Sequence, residues 1–327
     1  MDRYARQICL REVGTDGQAR LAAARVLVVG AGGLGAALLP LLAGAGVGHL
    51  RIVDPDVVEQ SNLHRQTLYR MSDLGRPKAE VAAKTLADLN PDCRIEALIA
   101  RLDPALAREQ LVWLRGGTGS GVVVDAADVF AVTYALSDLC EAVKVPLISS
   151  SVLGFAGYVG GFCGGAPGYR ALFPDLPAVA QSCASAGVIG PAVATLGALQ
   201  AQMVLSVLLA LDPSPLGQLL RLDLKSWRIS GFRFDAAEAP QTPGPRILAA
   251  QEVTEGDLVI ELRDAVEAPA LPFPQARRLA PEAVAQFVPD PGRRTVFVCA
   301  TGLRAWRAAC TVIAAHGAEA AVLALPQ

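Results

Sequence analysis

Short apolar runs rich in β-branched residues alternate along this chain with stretches whose apolar positions recur at helical spacing. Residues 25–30 (RVLVVG) read as a strand ending in glycine, residues 33–47 (GLGAALLPLLAGAGV) as a helix and residues 49–54 (HLRIVD) as a second strand. Strand, helix and strand within about 30 residues make the two strands parallel neighbours. The alternation continues with a helix over 78–90, a buried strand over 121–128, a helix over 134–144 and a strand over 145–152. Repetition of that unit predicts an α/β fold with a doubly wound, Rossmann-like sheet covered on both faces. Residues 190–211 read as a long, nearly uncharged helix. A helix apolar all round needs complete burial, so it is predicted to pack in the core or at a dimer interface.

The pattern lapses at residues 235–245 (DAAEAPQTPGP), which are rich in Pro and Ala and have no period. It resumes with a strand in 257–264, a strand, loop and helix over 295–317 and a strand over 320–325. The organisation predicted is a first domain over 1–235, a linker over 236–250 and a smaller α/β domain over 251–327. A piece of that size is either marginal by itself or docked on the first domain.

Composition narrows the class. Twenty-nine basic side chains stand against 31 acidic ones, a net charge of -2. That balance excludes a nucleic-acid grip built on surplus cations. With 52% hydrophobic and 18% charged residues, the chain can bury a large core. Apolar runs such as 36–47 are broken by Gly and Pro and fall short of the ~18 residues a bilayer span needs, so no membrane association is expected. The opening MDRYARQICL lacks an apolar signal segment, and a cytoplasmic protein is expected. Seven scattered cysteines include no CxxC pair.

The candidate chemistry begins at Gly30-Ala31-Gly32-Gly33-Leu34-Gly35, a G-x-G-x-x-G sequence between strand and helix. Its glycines allow a tight turn and close approach to phosphate, while the helix N-terminus attracts the anion. Asp54, at the end of the next strand, is placed to accept from ribose hydroxyls. These features leave NAD, FAD and ATP open. The following segment supplies Arg65 and Lys78 with the amides of Asn62 and Gln66. Cations there point to a triphosphate whose charge shifts during reaction. His64 reads as a packing or hydrogen-bonding residue.

In combination these segments resemble the ThiF/MoeB/HesA family of ubiquitin-activating-enzyme-like adenylyltransferases. The resemblance rests on RYARQ at 3–7, GAGGLG at 30–35, DPDVVEQSNLHRQ at 54–66, GRPKAE at 75–80, DAAD at 125–128 and SCASAGVIGP at 182–191. It implies a homodimeric enzyme that uses ATP and Mg2+ to adenylate the C-terminal glycine of a ubiquitin-fold sulfur carrier ending in Gly-Gly. The carrier would be of the thiamine or the molybdopterin type, with a slight lean to thiamine. Carried over by position, Gly30, Gly32 and Gly33 become backbone contacts to the nucleotide and Asp54 the ribose acid. Ser61, Asn62, Arg65, Gln66 and Lys78 become the phosphate and transition-state group, and Arg6 an arginine reaching into the partner subunit's site. Asp128 becomes the magnesium ligand, with Asp125 as runner-up. Val129 replaces the family's asparagine beside the nucleotide.

The resemblance also places Cys183 where family members form a covalent link to the carrier. The family's two zinc-binding CxxC pairs are missing, with GYRA at 168–171 in place of the first, so no zinc is expected. The C-terminal piece is similar to a rhodanese: Cys299 opens the stretch CATGLR at 299–304, which fits a Cys-x-x-Gly-x-Arg persulfide cradle, although other rhodanese segments are worn. That similarity implies sulfur transfer and a cysteine desulfurase as a further partner, with a decayed domain as the alternative. Two other readings stay open: adenylation of a peptide or tRNA-linked carboxylate, and an inactive binding module.

Overall fold

The computed structural model describes residues 3–176, 187–241 and 244–325. Two short helices, α1 (Ala5–Ile8) and α2 (Gly14–Ala23), precede the first sheet unit: β1 (Arg25–Val29), α3 (Gly33–Gly44) and β2 (His49–Val53). Then follow α4 (Lys78–Leu89), β3 (Arg94–Leu98), α5 (Pro104–Arg115), β4 (Gly121–Asp125), α6 (Phe130–Val143) and β5 (Pro146–Leu153). Next come β6 (Ala156–Cys163), α7 (Tyr169–Leu172), α8 (Gly190–Leu208), β7 (Gln218–Asp223) and β8 (Arg228–Arg233).

These strands form one eight-stranded sheet in the order β3-β2-β1-β4-β5-β6-β7-β8. The first five are parallel and the last three antiparallel. Alternation along β1 divides the interior, as a strand buried on both faces must. Val26 and Val28 enter one core with α3, α4 and α8, whereas Leu27 and Val29 enter the other with α5 and α6.

The α8 helix, 19 residues with a mean hydropathy of 1.5, is long and apolar enough by composition to cross a bilayer. Counting unbroken apolar runs missed this, because Ser, Thr, Gln and Gly break the run without adding charge. Its Val193, Leu196 and Val204 are buried against the first sheet's core, and Gly197 packs against Ala37 and Leu34 of α3. A second face, with Ala194, Thr195 and Ala198, is exposed.

A second sheet holds β9 (Arg246–Leu248), β10 (Leu258–Glu261), β11 (Arg277–Arg278), β12 (Thr295–Cys299) and β13 (Ala320–Ala324), all parallel, in the order β11-β10-β12-β13-β9. Helix α9 (Leu303–His316) joins β12 to β13. The end of the stretch read as linker is therefore strand: Arg246–Leu248 pair with β13, and the backbone bonds of that ladder outweigh the weak local preference of a Pro-rich stretch.

The second sheet is docked. Leu258, Ile260, Phe297 and Trp306 share one core with Leu27, Leu136 and Leu147 of the first sheet. At the junction the Arg170 guanidinium lies 4.8 Å from the Trp306 ring and 5.2 Å from the Tyr134 ring, and pairs with Asp138 at 2.6 Å. Residues 168–171, which stand where the resemblance puts a metal-binding cysteine pair, form the N-cap and most of α7 (Tyr169–Leu172). Tyr169 packs there with its ring 4.6 Å from Phe173 and 5.2 Å from both Tyr134 and Phe162.

Candidate nucleotide site

Register puts the site's parts at one level. Val29 of β1 pairs with Val53 of β2 and with Asp125 of β4, so Gly30, Asp54 and Ala126 all leave the sheet together. This is the carboxyl edge of the parallel strands, where open α/β sheets bind ligands. Gly30 has φ +100°, and a Cβ there would fall 2.6 Å from the Ala126 carbonyl oxygen. A Cβ on Gly35 would overlap the Gly30 carbonyl, and one on Gly33 would lie 2.6 Å from Val193 of α8. The loop is therefore closed against its neighbours, and Gly33 heads α3.

Asp54 is 4% exposed and grips this loop. Its Oδ2 accepts the Ala31 N–H at 2.6 Å and its Oδ1 accepts the Asp56 N–H at 2.8 Å. Burial raises its pKa more than those hydrogen bonds lower it. The Tyr69 hydroxyl donates to the Ala31 carbonyl at 2.6 Å from the other side.

These groups open on a cavity of about 600 Å3. Gly30, Gly32, Gly33, Asp54, Asn62, Arg65, Gln66, Lys78, Asp128 and Val129 all line it. Lys78 heads α4, its stem buried and its Nζ 3.1 Å from Asp56. Arg65 donates to the Asn62 side-chain oxygen at 2.7 Å and lies 2.8 Å from the His64 ring. Gln66 is buried, and its Oε1 has no hydrogen-bond partner.

The two DAAD carboxylates differ. Asp125 is fully buried and accepts from Thr133 at 2.7 Å, Ser149 at 2.9 Å and the Ala127 N–H at 3.2 Å. Burial pushes its pKa up to about 6. Its lone pairs are committed to the fold, whereas Asp128 is exposed on the cavity wall.

Other expected site residues stand apart. Ser61 is exposed, donates to Glu59 at 3.3 Å and does not line the cavity. Arg6 is exposed on α1, outside the cavity of its own chain. Tyr4 and Gln7 dock that helix: Asn90 donates to the Tyr4 hydroxyl at 2.8 Å, and Gln7 donates to the Ala45 carbonyl at 2.9 Å. Cys183 lies outside the described residues. Cys299, buried at the end of β12, accepts the Ala305 N–H at 3.4 Å, while Arg304 is bound to Glu267. Residues the sequence reading passed over also line the cavity: Asp56, Glu59, Arg101, Leu102 and Ser151. Only Asp56 carried a signal, its spacing two residues after Asp54.

A glycine loop at a helix N-terminus, a buried acid beneath it and cations beside it define a nucleotide-binding α/β protein. The particular family follows from comparison. The ThiF family model matches residues 4–244, and this chain belongs to the ThiF family. The SAMP-activating enzyme E1 of Haloferax volcanii is 43% identical over 225 residues, covering 68% of this chain and 81% of that protein. The sulfur carrier protein ThiS adenylyltransferase of Escherichia coli K12 is 37% identical over 240 residues, covering 71% and 91%. The bovine adenylyltransferase and sulfurtransferase MOCS3 is 41% identical over 249 residues, but only 53% of its length is covered. Escherichia coli MccB in complex with MccA-N7isoAsn has the same fold, with a TM-score of 0.62 at 20% identity over 74% of each chain.

Proposed function

We propose that this chain is an adenylyltransferase that uses MgATP to activate the C-terminal glycine of a ubiquitin-fold sulfur carrier. The observation that carries this reading is the convergence of the glycine loop, Asp54, Arg65, Lys78 and Asp128 on one cavity. The names of the relatives, which activate SAMP or adenylate ThiS, supply the substrate class.

The chemistry matches the side chains present. The carrier's carboxylate attacks the α-phosphorus of ATP, a carboxyl–phosphate bond forms, the α–β phosphoanhydride breaks and pyrophosphate leaves with the electron pair. A carboxylate is already a nucleophile at neutral pH, so the site has to position and neutralise charge and needs no general base. Amides at the start of α3 offer donors to the phosphates, Asp54 takes a ribose hydroxyl, and Arg65 and Lys78 offset charge on the phosphates, with Gln66 beside them on the cavity wall. Among the described residues no three His, Cys, Asp or Glu side chains converge. Asp128, exposed on the cavity wall, would hold the magnesium ion, which would supply charge neutralisation at the phosphates. Arg6 completes the site of a second copy in a homodimer.

ATP–pyrophosphate exchange with thiamine-type and molybdopterin-type carriers ending in Gly-Gly tests the proposal. Exchange is expected with one carrier and to fall about a hundredfold or more in Asp128→Ala. Absence of exchange with every carrier, from folded protein that binds ATP, would redirect the search to peptide or tRNA-linked carboxylates.

A further inference from the structure

The carboxyl edge of the first sheet sets out the parts of the nucleotide cavity in the order of its strands, β3-β2-β1-β4-β5. Asp54 follows β2 and the glycine loop follows β1. A ribose taken by the acid and phosphates taken by the loop lay a nucleotide along the β2–β1 side. On the other side the cavity continues past Asp128, which follows β4, to Ser150, Ser151 and Val152 of β5. It can do so because β5 outruns its neighbour: Asp125, the last residue of β4, pairs with Ser149, and β5 goes on to Leu153. Residues 149–151 are three serines in a row, and the fold uses two of them. Ser149 donates to the Asp125 carboxylate at 2.9 Å and Ser150 to the Tyr158 carbonyl at 2.8 Å. Ser151 is exposed, and its hydroxyl has no hydrogen-bond partner among the described residues.

We propose that Ser151 holds the acceptor, its hydroxyl donating to one oxygen of the carboxylate at the C-terminal glycine while the other oxygen attacks the α-phosphorus. The inference rests on the adenylation reading above and assigns the side of the cavity that the ribose acid and the glycine loop leave free. Chemistry supports it. A carboxylate nucleophile must come up to anionic phosphates, and a neutral donor orients it without tying up its charge as a cation would. Rigidity supports it as well, because Ser151 pairs with Tyr158 in the antiparallel ladder that β5 and β6 form from Pro146 to Leu153, which fixes where its side chain starts. Val152 and Val188, on the same stretch of wall, are apolar and bring no competing side-chain donor. Ser150 and Ser151 are the only hydroxyl side chains among the described residues that line the cavity, and the first is already committed to the fold.

Steady-state ATP–pyrophosphate exchange with the thiamine-type and molybdopterin-type carriers, joined to calorimetric titration of the same full chain with ATP, tests the contact in Ser151→Ala and Ser151→Thr. Both variants are checked for folding by circular dichroism. In Ser151→Ala the kcat/KM for the carrier is expected to fall about tenfold or more, as the loss of a hydrogen bond to a charged group gives, while the Kd for ATP stays within about twofold. Ser151→Thr keeps the hydroxyl and is expected to stay within about threefold of the wild type. Unchanged exchange in Ser151→Ala would overturn the contact. So would a matching loss of ATP affinity, which would put the hydroxyl on the nucleotide, or an equal loss in both variants, which would mark a packing effect. Each of these leaves the adenylation reading standing, whereas a wild type that shows no exchange with either carrier would overturn the carrier reading and this contact with it.

Discussion

Substituting Asp54 separates holding the loop from holding the ligand. Its two carboxylate oxygens each accept a backbone N–H, from Ala31 at 2.6 Å and from Asp56 at 2.8 Å. In Asp54→Asn one oxygen becomes an NH2 group that confronts one of those donors. A hydrogen bond to a charged acceptor contributes roughly 1.5–3 kcal/mol, and a stranded buried donor costs about 1–3 kcal/mol. Burial opposes the charge at this position and raises the pKa, so removing the charge returns part of that loss. The expected net effect is a destabilisation of about 2 kcal/mol with no nucleotide present. Equilibrium urea unfolding of nucleotide-free protein measures it, and an ATP titration on the same samples reports the ligand's side. A variant as stable as the wild type but unable to bind ATP would refute the reasoning, because Asp54 would then act only on the ribose.

Asp125 sets a pH dependence. Its pKa, pushed up to about 6 by burial from an ordinary 3.8, means that the folded state keeps the proton longer than the unfolded chain does. Stability therefore falls as pH rises from about 4 to about 6, and the full penalty, about 3 kcal/mol, holds above that window. Thermal midpoints from pH 4 to 8 should show this slope in the wild type and a flatter curve in Asp125→Asn; parallel curves would contradict the assignment. For the second sheet, we propose sulfur transfer at Cys299, whose sulfur accepts the Ala305 N–H at the start of α9. A thiosulfate–cyanide assay should find activity that Cys299→Ser abolishes, and no activity in the wild type would identify a decayed cradle.

The alternation of apolar runs with helical periods determined four of the five parallel strands of the first sheet, and missed β3 (RIEAL), a half-exposed edge strand with charged residues. β1 and β4 are buried on both faces and are apolar almost throughout, so local pattern and tertiary role coincide there. The same holds for the glycine loop and Asp54, whose tasks are fixed by backbone conformation and by spacing along adjacent strands. The antiparallel extension was not legible. Strand β6 (AGYVGGFC) is rich in glycine, and every residue of β8 (RISGFR) is exposed, so neither shows the alternation of a half-buried strand. The choice between Asp125 and Asp128 also belonged to the structure, since only packing reveals that Thr133 and Ser149 occupy the first and leave the second open. So did the docking of the second sheet. Sequence encodes contacts between neighbours along the chain through period and spacing, whereas a wall shared by residues 102, 129, 300 and 324 exists only once the second sheet has docked against helices α5 and α6.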